Sequence, residues 1–390
     1  MLVRGARVDE PAVLAAEPLD HGVDPLLGRQ LVPVDDQIEI RVEVGFPGGR
    51  RAGQEDGARR DLLHEDVRDP VRERAQPGGG SLLSGHGRRL RILTPTYESA
   101  GVSLAKAEDV VERLRAAIES TGARGFGAFA GLYPLDERRF LAASTDGVGT
   151  KLMLARERGA LRACGADLAA HCMNDVLTIG AEPLFLLDYV AANEVDLEQV
   201  AELVEGAAEV CRAAGVALVG GETAELPGTY REGELDFAGT CVGIVDADAL
   251  VDGSRVDEGD AVVGLASAGV HANGFTLVRR VLELEDYDGE DLLAPTRLYL
   301  EDVRHLRPRV HAFAHVTGGG IEGNLARVVP EGLRARIDWD AWERLPVFGW
   351  LARHVDELEL RRVFNLGLGY LAVVAEPEPG DLVVGRIERA

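Results

Sequence analysis

From Leu93 onward, short runs of β-branched and aliphatic residues alternate with amphipathic stretches that end on glycine. This alternation restricts the chain to architectures in which helices cover β-sheets. Val110, Val111, Leu114, Ala117 and Ile118 recur at helical spacing within residues 105–120, and Gly122 follows as a stop signal. Residues 139–144 read as a short buried strand, 167–178 as a helix closed by Gly180, and 183–192 as a strand. Asp196 with Gln199 three positions on forms a capping-box start for a helix to Ala214, which Gly215 ends. Strands over 216–219 and 237–245 complete a first unit, and the polar turn Asp252-Gly253-Ser254 sets the expected boundary. A second α/β unit follows, with strands over 261–266, 368–374 and 382–387 and helices over 275–283, near 299–306, and after 317–320. The expected domains are therefore 93–252 and 253–390, of class α/β (α+β).

Residues 1–92 have another texture. Clusters such as Gly48-Gly49-Arg50-Arg51 and Pro77-Gly78-Gly79-Gly80 interrupt short apolar pieces, and no helix-length periodic segment occurs. Such a segment lacks the apolar surface that offsets the entropy of ordering it. It carries 14 arginines and 16 acidic residues, so that −22 of the net charge of −24 falls on residues 93–390. A disordered extension, or upstream sequence translated from a wrongly chosen start, is the expectation for 1–92.

The strongly acidic balance argues against nonspecific binding to nucleic acid or anionic lipid, since both need a positive field. No run approaches the roughly 18 to 20 apolar residues of a membrane span, and no secretory signal opens the chain, so a cytoplasmic location is expected. Cys164, Cys172, Cys211 and Cys241 show neither C-x-x-C pairing nor zinc-ligand spacing, and read as buried small hydrophobes. An anionic substrate must then be captured by backbone amides, metal ions and a few cations. Only two of the 42 basic residues are lysines, Lys106 and Lys151.

One of those lysines ends the junction Ser144-Thr145-Asp146-Gly147-Val148-Gly149-Thr150-Lys151, where a strand opens into a loop. Gly147 and Gly149 let backbone N–H groups approach phosphate oxygens, Lys151 offsets their charge, and Asp146 offers hard oxygen ligation to Mg²⁺. The spacing is neither a Walker A loop nor a dinucleotide fingerprint, and a bare glycine turn is the alternative. Asn174-Asp175 lies in the C-terminal half of a helix whose other residues look like a core face, with a merely solvated face as the alternative. Glu222, with Glu225, follows a buried strand, where α/β folds place ligand sites. Together Asp146, Asp175 and Glu222 form the expected carboxylate set for Mg²⁺ on ATP phosphates.

In the second unit, Ser267 to Gly274 joins a strand to a helix, so its amides can receive a phosphate. His271 is a candidate general acid or base, or a phosphate ligand, against the alternative of a merely exposed loop histidine. Thr317-Gly318-Gly319-Gly320 offers a second anion nest, because three successive glycines are costly to order without a close ligand.

In order along the chain, residues 144–152, Asn174-Asp175 with 180–185 and 187–189, 220–228, 271–279, 293–297 and 315–320 resemble the motifs of AIR synthetases. The resemblance spans about 96–387. Single motifs recur across the wider ATP-binding superfamily of FGAM synthetase, selenophosphate synthetase, thiamin-monophosphate kinase and the hydrogenase-maturation carbamoyl dehydratase. The stretches Gly-Gly-Glu-Thr-Ala-Glu-Leu-Pro-Gly and His-Ala-Asn-Gly-Phe fit AIR synthetase best. Ala268, Val270 and Phe275 stand where the family more often has Ser, Pro and Tyr. The resemblance implies a homodimer in which the first domains pair mixed sheets into a barrel, with ATP near that interface. It further implies ATP-driven ring closure of formylglycinamidine ribonucleotide, with Mg²⁺ on Asp146, Asp175 and Glu222. Gly125, Gly127, Gly147, Gly149, Thr150, Lys151, Asn174 and Asp175 would hold ATP, and Lys151, Asp146 and His271 would serve catalysis. His271, Asn273, Gly274, Thr317, Gly318, Gly319, Gly320 and Asn324 would bind the substrate. The markers of two rivals, an N-terminal reactive Cys with a lysine and a C-terminal Cys, do not occur, because the last cysteine is Cys241. A noncatalytic, dimeric ATP-binding protein is the other reading.

Overall fold

A computed structural model describes residues 94–122 and 127–390, all within one compact unit. The expected extension over 1–92, and Gly125, one of the glycines expected to hold ATP, lie outside the described residues. Two five-stranded sheets organise the chain. After helix α1 (Leu104–Glu119), the first sheet is built from β1 (Gly131–Pro134), β2 (Arg139–Gly147), β3 (Glu182–Ala192), β4 (Ala217–Glu225) and β5 (Leu235–Asp246), in the order β1-β2-β5-β3-β4. Its pairs are antiparallel except β3 with β4, which the crossover helix α4 (Leu197–Ala214) makes parallel. The α4 boundaries follow the predicted chemistry. The Asp196 side chain accepts from the Gln199 N–H at 3.0 Å, and Gly215 stops the helix in the left-handed region at φ 71°.

Helix α2 (Lys151–Glu157) leads into α3 (Leu161–Thr178), which is buried on nearly all sides and carries Asp167, His171 and Asn174 among its buried residues. Gly165 and Gly206 let α3 and α4 meet backbone to backbone. A methyl on Gly165 would strike the Leu203 carbonyl, and one on Gly206 the Arg162 carbonyl. Leu168, Cys172, Met173 and Val176 of α3 form the first core with Leu186, Phe237 and Cys241 from the sheet.

The second sheet runs β7 (Val310–His315), β9 (Leu368–Val374), β6 (Ala261–Ala266), β10 (Val383–Arg389) and β8 (Leu333–Ile337), antiparallel throughout its pairs. Helices α5 (Phe275–Leu282), α6 (Leu300–Leu306), α7 (Gly320–Leu325), α8 (Pro346–Leu351) and α9 (Glu357–Val363) complete it. Strands β1, β7 and β8 and helices α2, α8 and α9 have no counterpart among the sequence expectations, being short, although the five residues of β8 do alternate. Strand β4 also runs further than expected, through Gly220 to Glu225, because parallel pairing with β3 extends past the expected loop start. No helix among the described residues is long and apolar enough to cross a membrane.

Candidate active site

Strand β2 carries Asp146 to the end of the first sheet, opposite Gly239 of β5. Its Oδ1 accepts from the Gly147 N–H at 2.7 Å, and its Oδ2 lies 3.2 Å from His171 Nδ1 on α3. Asp175, one helical turn beyond His171, accepts from Ser144 Oγ at 2.8 Å and lies 2.9 Å from His315 Nδ1 at the end of β7. The two imidazoles meet edge to face with centroids 5.0 Å apart. The series Asp146, His171, His315, Asp175 thus links β2 of the first sheet, α3 and β7 of the second.

The two rings are shifted in opposite directions. Burial pushes His171 down, but the hydrogen bond and charge of Asp146 outweigh it and hold the ring above its usual value. Burial also pushes His315 down, and there Asp175 does not compensate. The Asp146 carboxyl is raised by burial, yet His171 and the Gly147 N–H together hold it below the usual carboxylate range. Asp146 thus favours the charged form of His171, whereas burial favours the neutral form of His315 despite Asp175. His171 escaped the sequence reading altogether, although a lone histidine on an apolar helix, four residues before Asp175, was its signal.

Lys151 is placed differently from expectation. It starts α2 rather than lying in an open loop, and its side chain is fully buried. Its Nζ stands 2.7 Å from Asp167 Oδ2 and 3.0 Å from the Ala294 carbonyl, which accepts its hydrogen bond. A buried ammonium needs such a partner, because leaving it unpaired costs several kcal/mol. Asp167 in turn accepts from the Thr296 N–H at 2.8 Å and the Thr296 hydroxyl at 2.7 Å. Asn174 is likewise committed: its amide donates to the Arg297 carbonyl and accepts from the Tyr299 N–H, while its own carbonyl accepts from the Tyr370 hydroxyl. Lys151 and Asn174, expected beside ATP, therefore clamp the linker 293–299 to the first domain. Thr150 adds a hydroxyl contact at 3.0 Å to Thr276, in the first turn of α5.

The three expected metal ligands are not brought together. Glu222 is exposed on β4, the far edge strand, separated from β2 by β5 and β3, or roughly three spacings of 4.8 Å. Among the described residues no three His, Cys, Asp or Glu side chains are arranged to hold a metal ion. Asp146 and Asp175 suit the smaller demand of Mg²⁺, which commonly takes one or two carboxylates and completes its shell with water and phosphate oxygens. Gly147 and Gly149 are exposed beside them, Gly149 in the left-handed region at φ 65°. Arg327, also absent from the sequence expectations, donates to the Ala128 carbonyl and stacks over Phe129, within the electrostatic reach of Asp175. It supplies a cation close to Gly127, where Lys151 does not.

The two loops of the second domain do come together, Gly318 lying beside Asn273 Oδ1. Asn324 is buried and knits the triple-glycine turn, its amide donating to the carbonyls of Thr317, Gly318 and Gly320. Gly319 and Gly320 adopt φ of 102° and 66°, which a side chain rarely tolerates. Asn324 therefore shapes the turn, and Thr317, Gly318 and Gly319 form its partly open surface. Gly274 caps α5 at φ 80° and packs against Phe364. His271 is buried, not exposed.

With this geometry in place, the similarities to known proteins are specific. The N-terminal domain of AIR synthase related protein matches residues 127–245, and its C-terminal domain matches residues 257–389. The chain belongs to the AIR synthase related family. The phosphoribosylformylglycinamidine cyclo-ligase of Synechococcus sp. (strain CC9605) is 47% identical over 302 residues, covering 71% of this chain and 88% of the relative. The protein of the same name from Nitrosococcus oceani is 44% identical over 305 residues, covering 73% and 85%. Among solved structures, AaThiL complexed with AMPPCP and TMP shares the fold at 16% identity, with a TM-score of 0.53 over 71% of this chain and 90% of its own.

Proposed function

We propose that this protein is a phosphoribosylformylglycinamidine cyclo-ligase, closing formylglycinamidine ribonucleotide to 5-aminoimidazole ribonucleotide while ATP becomes ADP and phosphate in purine biosynthesis. The observation that carries this reading is similarity to named cyclo-ligases along both domains, at 47% identity. An amide oxygen is a poor leaving group. Transfer of the terminal phosphoryl group of ATP to the formyl oxygen corrects this, an internal nitrogen attacks the same carbon, and the oxygen departs with phosphate.

The chain's contribution is positioning and charge stabilisation. Mg²⁺, when bound with ATP, neutralises phosphate charge, and Asp146 and Asp175 are the residues that would hold it. The Gly147 and Gly149 backbone lies open to phosphate oxygens, and Arg327 supplies the nearby cation. The ribonucleotide occupies the second domain, against Asn273 and the 317–319 turn. The first sheet keeps Tyr133, Leu187, Tyr189 and Val219 exposed, an apolar surface that a second copy would cover in a homodimer. The protein works in the cytoplasm.

Purified protein given formylglycinamidine ribonucleotide and MgATP should release ADP and aminoimidazole ribonucleotide in equal amounts. ATP binding without either product favours the noncatalytic reading, and sedimentation as a monomer at micromolar concentration refutes the dimer.

A further inference from the structure

His271 sits in the loop between β6 and α5 with its ring buried and its backbone at φ 67°, a conformation that non-glycine residues seldom adopt. Its Nε2 lies 3.2 Å from the Ala268 backbone nitrogen and, at the outer limit of a hydrogen bond, 3.5 Å from that of Arg297. Both partners are N–H donors. Nε2 must therefore present its lone pair, and the proton of the neutral ring must sit on Nδ1. Nδ1 is itself buried without a partner, and Gly369 of β9 packs so closely on that side that a methyl there would collide with Cε1 and with the Tyr299 hydroxyl. The reacting molecule has no open path to either nitrogen.

The electrostatic surroundings agree with this geometry. Burial, the largest cause, pushes the ring well below its usual value, and the positive groups His171 from α3, Lys151 from α2 and Arg297 from the linker push the same way, while Tyr299 packs beside the ring with centroids 6.5 Å apart.

Resting on the cyclo-ligase reading for its activity assay, we propose that His271 is a positioning residue, whose Nε2 lone pair gathers the Ala268 and Arg297 N–H groups and which takes no part in proton transfer. It ties the substrate loop to the linker 293–299, which Lys151, Asp167 and Asn174 already clamp to the first domain. Docking of the first domain is thereby transmitted to Asn273, two residues beyond His271 and beside Gly318. Ser267 and Asn365 hold the other side of the loop, through the Gly269 and Val270 carbonyls.

Two substitutions separate the possible roles, because a glutamine amide oxygen reaches the place of Nε2 whereas an asparagine amide reaches only that of Nδ1. The His271→Gln variant should keep kcat within about ten-fold of wild type, and His271→Asn should lose about a hundred-fold, even though asparagine tolerates a positive φ better. Recovery by Asn instead of Gln overturns the proposal in favour of Nδ1 donation to substrate. Loss of about 10² to 10⁴ in both folded variants overturns it in favour of proton transfer. A second measurement needs no turnover. Long-range nitrogen–proton NMR of the intact wild-type protein should show the His271 ring, identified by its loss in His271→Gln, protonated at Nδ1 and bare at Nε2, without titrating between about pH 5 and pH 8. A ring that titrates, or that carries its proton on Nε2, overturns the proposal even if either variant fails to fold. Absence of product from the wild-type protein overturns the cyclo-ligase reading alone, and the NMR result still decides the role of His271.

Discussion

Lys151 shows how one side chain changes meaning when its partner is known. Its burial against Asp167 predicts a stability effect rather than a selective loss of chemistry. Lys151→Met leaves a buried carboxylate without its counter-charge and should cost about 3–5 kcal/mol in urea unfolding, whereas Lys151→Met with Asp167→Asn, which removes the charge but keeps an acceptor for Thr296, should recover much of that loss. A Lys151→Met protein of wild-type stability that no longer forms ADP would instead place the lysine on phosphate. His171 makes a different prediction, one of pH. Its raised folded value means that its contribution is complete below the unfolded value of about 6.5 and fades as pH rises through the folded value. The depressed Asp146 contributes above its unfolded value near 3.9 and loses this only as pH falls through the lower folded value. The melting temperature lost in His171→Phe should therefore be greater near about pH 5.5 than near about pH 8.5. Equal losses at the two pH values would mean that packing alone matters there.

At the scale of elements, the α3–α4 crossing fixes where Asp175 and His171 stand relative to Asp146. Gly165→Ala drives a methyl into the Leu203 carbonyl, which cannot swing away as a side-chain end can. It should destabilise the protein by about 1–3 kcal/mol or more. Gly323→Ala, in α7 with open space around it, should be neutral or gain up to about 1 kcal/mol. Parallel urea titrations check both, and equal midpoints would show that the helices part without cost. The element types were legible because their signals are local. Asp196 with Gln199 and Gly215 bounded α4, and the apolar run of β9 marked a strand. Strand β7 was not legible, because its run of Val310, His311, Ala312, Phe313, Ala314 and His315 neither alternates nor carries a turn signal of its own.

For the whole molecule, the net charge of −24, of which −22 lies in residues 93–390, is the dominant long-range term. Self-repulsion at that charge opposes compactness, and at 1 M salt the Debye length shrinks to about 3 Å and screens it. The melting temperature should rise from dilute buffer to molar KCl, and a flat or falling profile would contradict the expectation. The many exposed ion pairs, such as Arg139 with Asp136 and Arg280 with Glu283, lose little under the same conditions, since each contributes at most about 1 kcal/mol.

What the sequence by itself determined is part of the local grammar: the longer strands and helices, the caps of α4, the glycine turns at 147–149 and 317–320, and the carboxylates Asp146 and Asp175 as candidates. Those follow from periodicity and from backbone conformations that few residues tolerate. The tertiary structure alone decided which polar groups became partners. It gave Lys151 to Asp167 and the Ala294 carbonyl, Asn174 to the linker, His171 to Asp146, and Arg327 to the neighbourhood of Asp175, and it left Glu222 on a distant edge strand. Such pairings join residues far apart in the chain, and a buried charge or amide accepts whichever partner packing brings within reach.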